Sequence, residues 1–190
     1  MRHPETDPEG EKAIIERVLA GETDAFTVLV DRYQGPLISF LFHMVRDMDA
    51  ARDLAQETFV KAFLSMRGFE TRNQAAFSTW LFAIARNGCV DALRKRKRKF
   101  EELEEGQPEL RLEAGQTAHL EAGRFRDGLE SALVRLSPKH RMAFELTLVQ
   151  GFTYEETAAI LKTNSGTIRS RVSRVRAFLQ ENLRHLSREE

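Results

Sequence analysis

Apolar residues recur at helical spacing through two long tracts of this chain, and nowhere do they alternate as in a half-buried strand. Ile14, Ile15, Val18 and Leu19 form the first stripe, over residues 11–20, which stops at Gly21. Thr23 or Asp24 suits the cap of the next helix, whose stripe is Phe26, Leu29, Val30 and Tyr33. Gly35-Pro36 is expected to interrupt or kink it before the apolar run 37–45. A third helix begins near Asp47 or Asp49 and runs to about Met66. Ala51, Leu54, Ala55, Phe59, Ala62 and Phe63 make its inner side, leaving Asp53, Gln56, Glu57 and Lys61 outside. Residues 67–76 break the periodicity and read as a loop.

The stretch 80–99 starts apolar and ends wholly basic. At about 100° per residue, Leu81, Ile84, Ala85, Cys89 and Ala92 share one broad side. Asn87, Asp91, Arg94 and Arg98 follow at i, i+4, i+7 and i+11, a polar strip down the same helix. Such a helix sits in a core and still offers a cationic face to a polyanion. Residues 124–190 are helical again. Phe125, Leu129, Leu133 and Leu136 form a stripe ending at Ser137-Pro138, and Pro138 suits the first turn of a new helix over 138–149. Gln150-Gly151 is a turn, and Thr153 to Glu156 matches a capping box. The helix it opens ends near Lys162, where a left-handed turn position holds lysine rather than glycine, and Thr163 is expected to cap the helix that follows.

This final pair, a short capped helix, a tight polar turn and a longer arginine-bearing helix, is a helix-turn-helix pattern. Ile168, Val172, Val175 and Leu179 hold the second helix to the core, leaving Ser165, Thr167, Arg169, Ser170, Arg171 and Arg174 outward. Hydroxyls suit phosphate contacts, and arginine forks onto guanine edges.

Charge sharpens the picture. The chain of 190 residues carries 29 Lys and Arg against 29 Asp and Glu, so its formal net charge is zero. The average hides segregation: residues 94–99 are all basic, residues 100–113 are strongly acidic, and 162–180 hold five cations and no acid. The charged stretch 100–123, with its glycines and Pro108, reads as a linker long enough to let the flanking domains sit apart. The expected architecture is all-α: two small helical domains joined by a flexible acidic linker, the second with a helix-turn-helix. Residues 1–10 are read as a disordered N-terminus, 11–99 as the first domain, and 124–190 as the second. One cysteine excludes an internal disulfide and a cysteine-rich zinc site. The five histidines are dispersed without a helix-spaced ligand pair, so no catalytic residue, metal or cofactor is expected. The polar N-terminus lacks the apolar core of a signal peptide, and no apolar run is long enough to span a bilayer, so a cytoplasmic protein without membrane insertion is expected.

At "DLAQETFVKAF", "FSTWLFAIARNGCVDALRKRKR" and "FTYEETAAILKTNSGTIRSRVSRVRAFL", in this order and spacing, the chain resembles bacterial RNA polymerase sigma factors of the extracytoplasmic-function (ECF) kind. The resemblance implies a transcription initiation factor with no catalysis of its own. Region 2 of such a factor (here 11–99) binds the core polymerase clamp helices and the −10 promoter element. Region 4 (here 124–190) binds the −35 element, and an anti-sigma factor is a further expected partner. Carried over residue by residue, Asp53, Gln56 and Glu57 fall on the clamp-binding segment. Arg72, Asn73, Phe77, Trp80, Arg86, Asn87, Asp91, Arg94 and Arg98 fall on −10 DNA-binding positions. Ser165, Thr167, Arg169, Ser170, Arg171 and Arg174 fall on −35 DNA-binding positions. The chain departs from the family's pattern at Arg52, Thr157 and Lys162. The alternative reading is a stand-alone helix-turn-helix DNA-binding regulator that uses the C-terminal module beside a sensor domain.

Overall fold

A computed structural model describes residues 8–70, 76–104, 128–129, 131–133 and 135–183, and eight α-helices are bounded within these described residues. In chain order these are α1 (Pro8–Leu19), α2 (Phe26–Val45), α3 (Met48–Leu64), α4 (Met66–Glu70), α5 (Phe77–Glu104), α6 (Pro138–Phe144), α7 (Tyr154–Leu161) and α8 (Ser165–Leu183). Among the described residues there is no strand, in agreement with the all-α expectation.

The first half is built around α2. Phe26, Leu29, Tyr33, Leu37, Phe40, Leu41 and Met44 recur every three or four residues and are all buried. Pro36 lies inside this helix, so of the interruption or kink expected there the interruption does not occur. A mid-helix proline costs about 3 kcal/mol. Full burial of Tyr33, Leu37 and Phe40 around it offsets that cost, at roughly 1.5–3 kcal/mol per large apolar side chain. The helix ends at Arg46, in the left-handed region at φ 59°. Asp47 then caps α3, its carboxylate accepting from the Ala50 amide at 2.9 Å. Alanines at 51, 55 and 62 face inward and let α3 lie close against α2 and α5.

Three boundaries differ from the sequence reading. Helix α1 begins at Pro8, within the stretch expected to be disordered; residues 1–7 lie outside the described residues. Its Glu11 is buried, accepting hydrogen bonds from the Tyr33 hydroxyl and from Arg32 Nη1 (3.3 Å). That contact fixes α1 on α2, and burial followed by the Glu11 carboxylate pushes the Tyr33 phenol far above its ordinary pKa. Residues 66–70, placed mostly in a loop from sequence, form helix α4. Helix α5 runs to Glu104, past the expected linker start, and 105–127 lie outside the described residues.

The two halves share one core. Phe82 on α5 lies between Phe40 of α2 (ring centroids 5.5 Å) and Phe152 of the turn before α7 (4.9 Å, edge-on). A polar bridge spans the same seam, with His43 Nδ1 2.8 Å from Glu145 Oε1. Gln150 Nε2 donates to that oxygen at 3.3 Å, so the buried carboxylate is held from both halves. Glu145–Val149 is a single π turn that extends α6, closed by the Gln150 amide on the Glu145 carbonyl at 2.9 Å. A satellite cluster of Ala132, Val175 and Leu179, with Leu129, Leu133, Leu136 and Phe178 around it, anchors the far end of α8.

Thr157 is fully buried, and its hydroxyl has no hydrogen-bond partner. An unpaired buried hydroxyl costs about 1–3 kcal/mol. Thr157→Val keeps the shape and removes that cost, so thermal unfolding should show Tm raised by about 2–4 °C per kcal/mol recovered; a lowered Tm contradicts the assignment.

Candidate nucleic-acid and polymerase interfaces

Three exposed faces carry the candidate residues. The first is on α3. Asp53, Gln56 and Glu57 all point to solvent, and Lys61 Nζ pairs with Glu57 Oε2 at 3.0 Å, one turn on. Sequence reasoning missed two neighbours: Val60 is 57% exposed and Leu64 77%. They continue the face of Gln56 at i+4 and i+8. Both were visible as apolar residues off the inner stripe. Carboxylates flanking bare aliphatic side chains fit a protein partner better than a merely solvated face does.

The second face is on α5. Leu81, Phe82, Ala85 and Cys89 are fully buried, while Asn87, Asp91, Arg94 and Arg98 are exposed on the other side. Asp91 Oδ1 sits 3.7 Å from Arg94 Nη1, a surface pair that orients without much binding energy. Arg86 is half-buried and donates from Nη1 to Asn87 Oδ1 at 2.9 Å, which orients the amide within the strip. Further along, Arg96 reaches back to the Val45 carbonyl at 3.0 Å and ties the basic end of α5 to the end of α2. Cys89 sits beneath this face; burial pushes its thiol up to about 12, so it packs as a small apolar group rather than a thiolate.

The start of α5 requires a correction. Phe77, assigned to DNA from sequence, is buried in an aromatic cluster with Tyr33 (5.6 Å), Phe69 (5.8 Å) and Trp80 (5.8 Å). Its ring is core, because the first turn of α5 must close over α2 and α4. Trp80 is half-buried against Phe69 at 4.8 Å and keeps part of its indole accessible. Arg72 and Asn73 lie outside the described residues.

The third face is the helix-turn-helix. Thr153 caps α7 and forms the full capping box with Glu156, as the sequence indicates. Lys162 closes α7 in the left-handed conformation at φ 52°. The cap of α8 is Asn164, not Thr163: Asn164 Oδ1 accepts from the Thr167 amide at 2.7 Å. Ile168, Val172, Val175 and Leu179 are buried, so Arg169, Ser170 and Arg174 stand exposed, with Ser165, Thr167 and Arg171 half-exposed beside them. The Arg169 guanidinium lies 5.9 Å from the Tyr154 ring centre, which steers it along the groove between α7 and α8. Among the described residues no group of three or more His, Cys, Asp or Glu is placed to hold a metal ion, and no helix is long and apolar enough to cross a membrane.

This arrangement agrees with known proteins over both halves. Residues 29–99 match Sigma-70 region 2 and residues 126–179 match Sigma-70 region 4. The RNA polymerase sigma-H factor of Pseudomonas aeruginosa is 31% identical, over 95% of this chain and 97% of the relative. The ECF RNA polymerase sigma factor EcfG of Rhodopseudomonas palustris is 38% identical, over 75% of this chain and 76% of the relative. Among solved structures, the sigma factor RpoE of Bartonella quintana, crystallised with the anti-sigma factor NepR, superposes with a TM-score of 0.67 at 33% identity, covering 84% of this chain and 96% of that one. A match that spans α2 to α5 accounts for the half that a stand-alone regulator would use as a sensor. The chain belongs to the ECF RNA polymerase sigma factors, the transcription initiation factors that direct RNA polymerase to promoters.

Proposed function

We propose that the three faces divide the work of promoter recognition, with Asp53, Gln56 and Glu57 on the polymerase clamp helices, α5 on the −10 element and α8 on the −35 element. The observation that supports this best is the two-sidedness of α5. Its apolar side is sealed in the shared core, yet Asn87, Asp91, Arg94 and Arg98 are all exposed in one line. Asn87 and Arg94 read unpaired or base-edge groups near −10, and the basic residues that follow grip phosphates without regard to sequence. Arg72, Asn73 and Trp80 take part in holding an unstacked −10 base, because aromatic and amide groups suit a flipped nucleotide. On α8, Arg169, Arg171 and Arg174 read the −35 groove while Ser165, Thr167 and Ser170 position the backbone.

Val60 and Leu64 extend the clamp-binding face and supply its apolar contact. RNA synthesis remains with the polymerase, and the chain acts in the cytoplasm as a binding factor with no catalysis of its own. The Bartonella quintana sigma factor, crystallised with an anti-sigma factor, supports such a partner here, one that covers the polymerase-binding face.

Run-off transcription from a genomic library with core polymerase tests this reading: the chain should select a defined promoter set, and tight site-specific duplex binding without polymerase contradicts it. Glu57→Lys reverses the charge of the α3 face and should weaken core association about tenfold or more in a pull-down titration, while leaving the −35 module intact. Arg171→Ala should do the opposite. It should lower −35-dependent transcription by about tenfold, in line with about 1–3 kcal/mol for a base-reading arginine, with core affinity unchanged.

A further inference from the structure

A cleft of about 540 Å³ opens between the start of α6 and the exposed side of α8. Ser137, Lys139 and His140 form one wall; Thr167, Arg171 and Arg174 form the other. The remaining lining residues are Asn164, Gly166 and Ser170, so no carboxylate enters it. A cleft with cations on both walls and no acid is built for an anion. It is also continuous with the proposed −35-reading side of α8, so an extended polyanion lying on that helix passes its mouth.

We propose that this cleft seats a backbone phosphate of the −35 duplex, with Lys139 and His140 as ligands from α6 opposite Arg171 and Arg174 from α8. The inference rests on the −35 assignment of α8 and adds a second helix to it. No sequence signal pointed to these two residues, because they lie outside the helix-turn-helix pattern.

The geometry prepares His140 for this role. Its Nδ1 lies 2.8 Å from the Ser137 hydroxyl, which fixes the ring and leaves Nε2 free for an oxygen in the cleft. The groups facing it are Lys139 and Ser137 from its own end of α6 and Arg171 and Arg174 from α8. Partial burial, then the two arginines, hold its pKa below the ordinary histidine value in the free protein. A phosphate placed among them neutralises the arginines and favours imidazolium, so binding draws a proton onto His140. The free-state pKa is lowered and the bound-state pKa is higher, so affinity rises as pH falls through the interval between them and levels off beneath it.

The test uses holoenzyme and a promoter recovered by run-off selection, with DNA affinity read by fluorescence anisotropy. Wild-type affinity should rise about three- to tenfold between about pH 8 and about pH 6, and His140→Gln should flatten that rise. Lys139→Ala should reduce the slope of log affinity against log salt by about 1. In wild-type protein, replacing −35 phosphates singly with neutral methylphosphonate should expose one position that weakens binding, and that same replacement should cost Lys139→Ala little more. Retention of the pH rise in His140→Gln and of the full salt slope in Lys139→Ala, with binding still −35-dependent, overturns the cleft assignment alone. Wild-type affinity that ignores replacement of the −35 element overturns the −35 reading of α8 itself, and this proposal with it. Core pull-down of each variant verifies that it is folded.

Discussion

Phe82 is touched from both halves of the chain, by Phe40 on α2 and by Phe152 in the turn before α7. The helix that carries it, α5, is where the two halves meet. Because α5 is the shared wall of both halves, its Leu81, Phe82, Ala85 and Cys89 side must be apolar and close-packed. Its opposite side is then free of packing constraint and carries the polar strip. Under the proposed −10 role, a strip mounted on a core helix meets DNA from a rigid backbone, which reduces the entropic cost of recognition. The same seam includes His43, Glu145 and Gln150, whose mutual bonds satisfy a buried carboxylate only while the halves are together. Apolar seams of this kind hold tightly; polar groups within them make the contact dependent on correct register.

Charge segregation does a second job. With equal numbers of acids and bases the chain has no net attraction for nucleic acid at large. Cations concentrate instead at the end of α5, along α8 and around the cleft at the start of α6. Acids concentrate in the stretch after residue 100, and on α3 Asp53 and Glu57 precede the bare Val60 and Leu64. In the proposed division of work, each cationic face makes a modest, salt-sensitive contact, and only a promoter presenting both elements at the right separation engages them together.

Much of this was legible in the residues. The stripes on α1, α2, α3 and α8 gave the buried faces, and the Thr153–Glu156 box was readable because capping is local chemistry. What was not legible depended on distant neighbours. Glu11 looks like a solvated helix residue until Arg32 and Tyr33 meet it from α2. Pro36 looks like a break until the burial on either side of it is known. Thr163, Asn164 and Ser165 are all competent caps, and the left-handed Lys162 sets the chain so that Asn164 reaches the Thr167 amide. Phe77 falls on a −10 position by resemblance, and its ring contacts with Tyr33, Phe69 and Trp80 put it in the core. Val60 and Leu64 could have been found, since apolar residues off a helix's inner stripe need a reason.

The central claim is that specificity on α5 resides in Asn87 and Arg94, while the basic residues after Arg94 hold phosphates. The most direct test is transcription from a promoter library randomised across the −10 element, sequenced from the products made by wild-type holoenzyme, Asn87→Ala and Lys95→Ala. The account predicts that Asn87→Ala relaxes the base preference at one or two positions by about tenfold, and that Lys95→Ala lowers yield evenly across sequences. An unchanged preference in Asn87→Ala, or an altered one in Lys95→Ala, contradicts it.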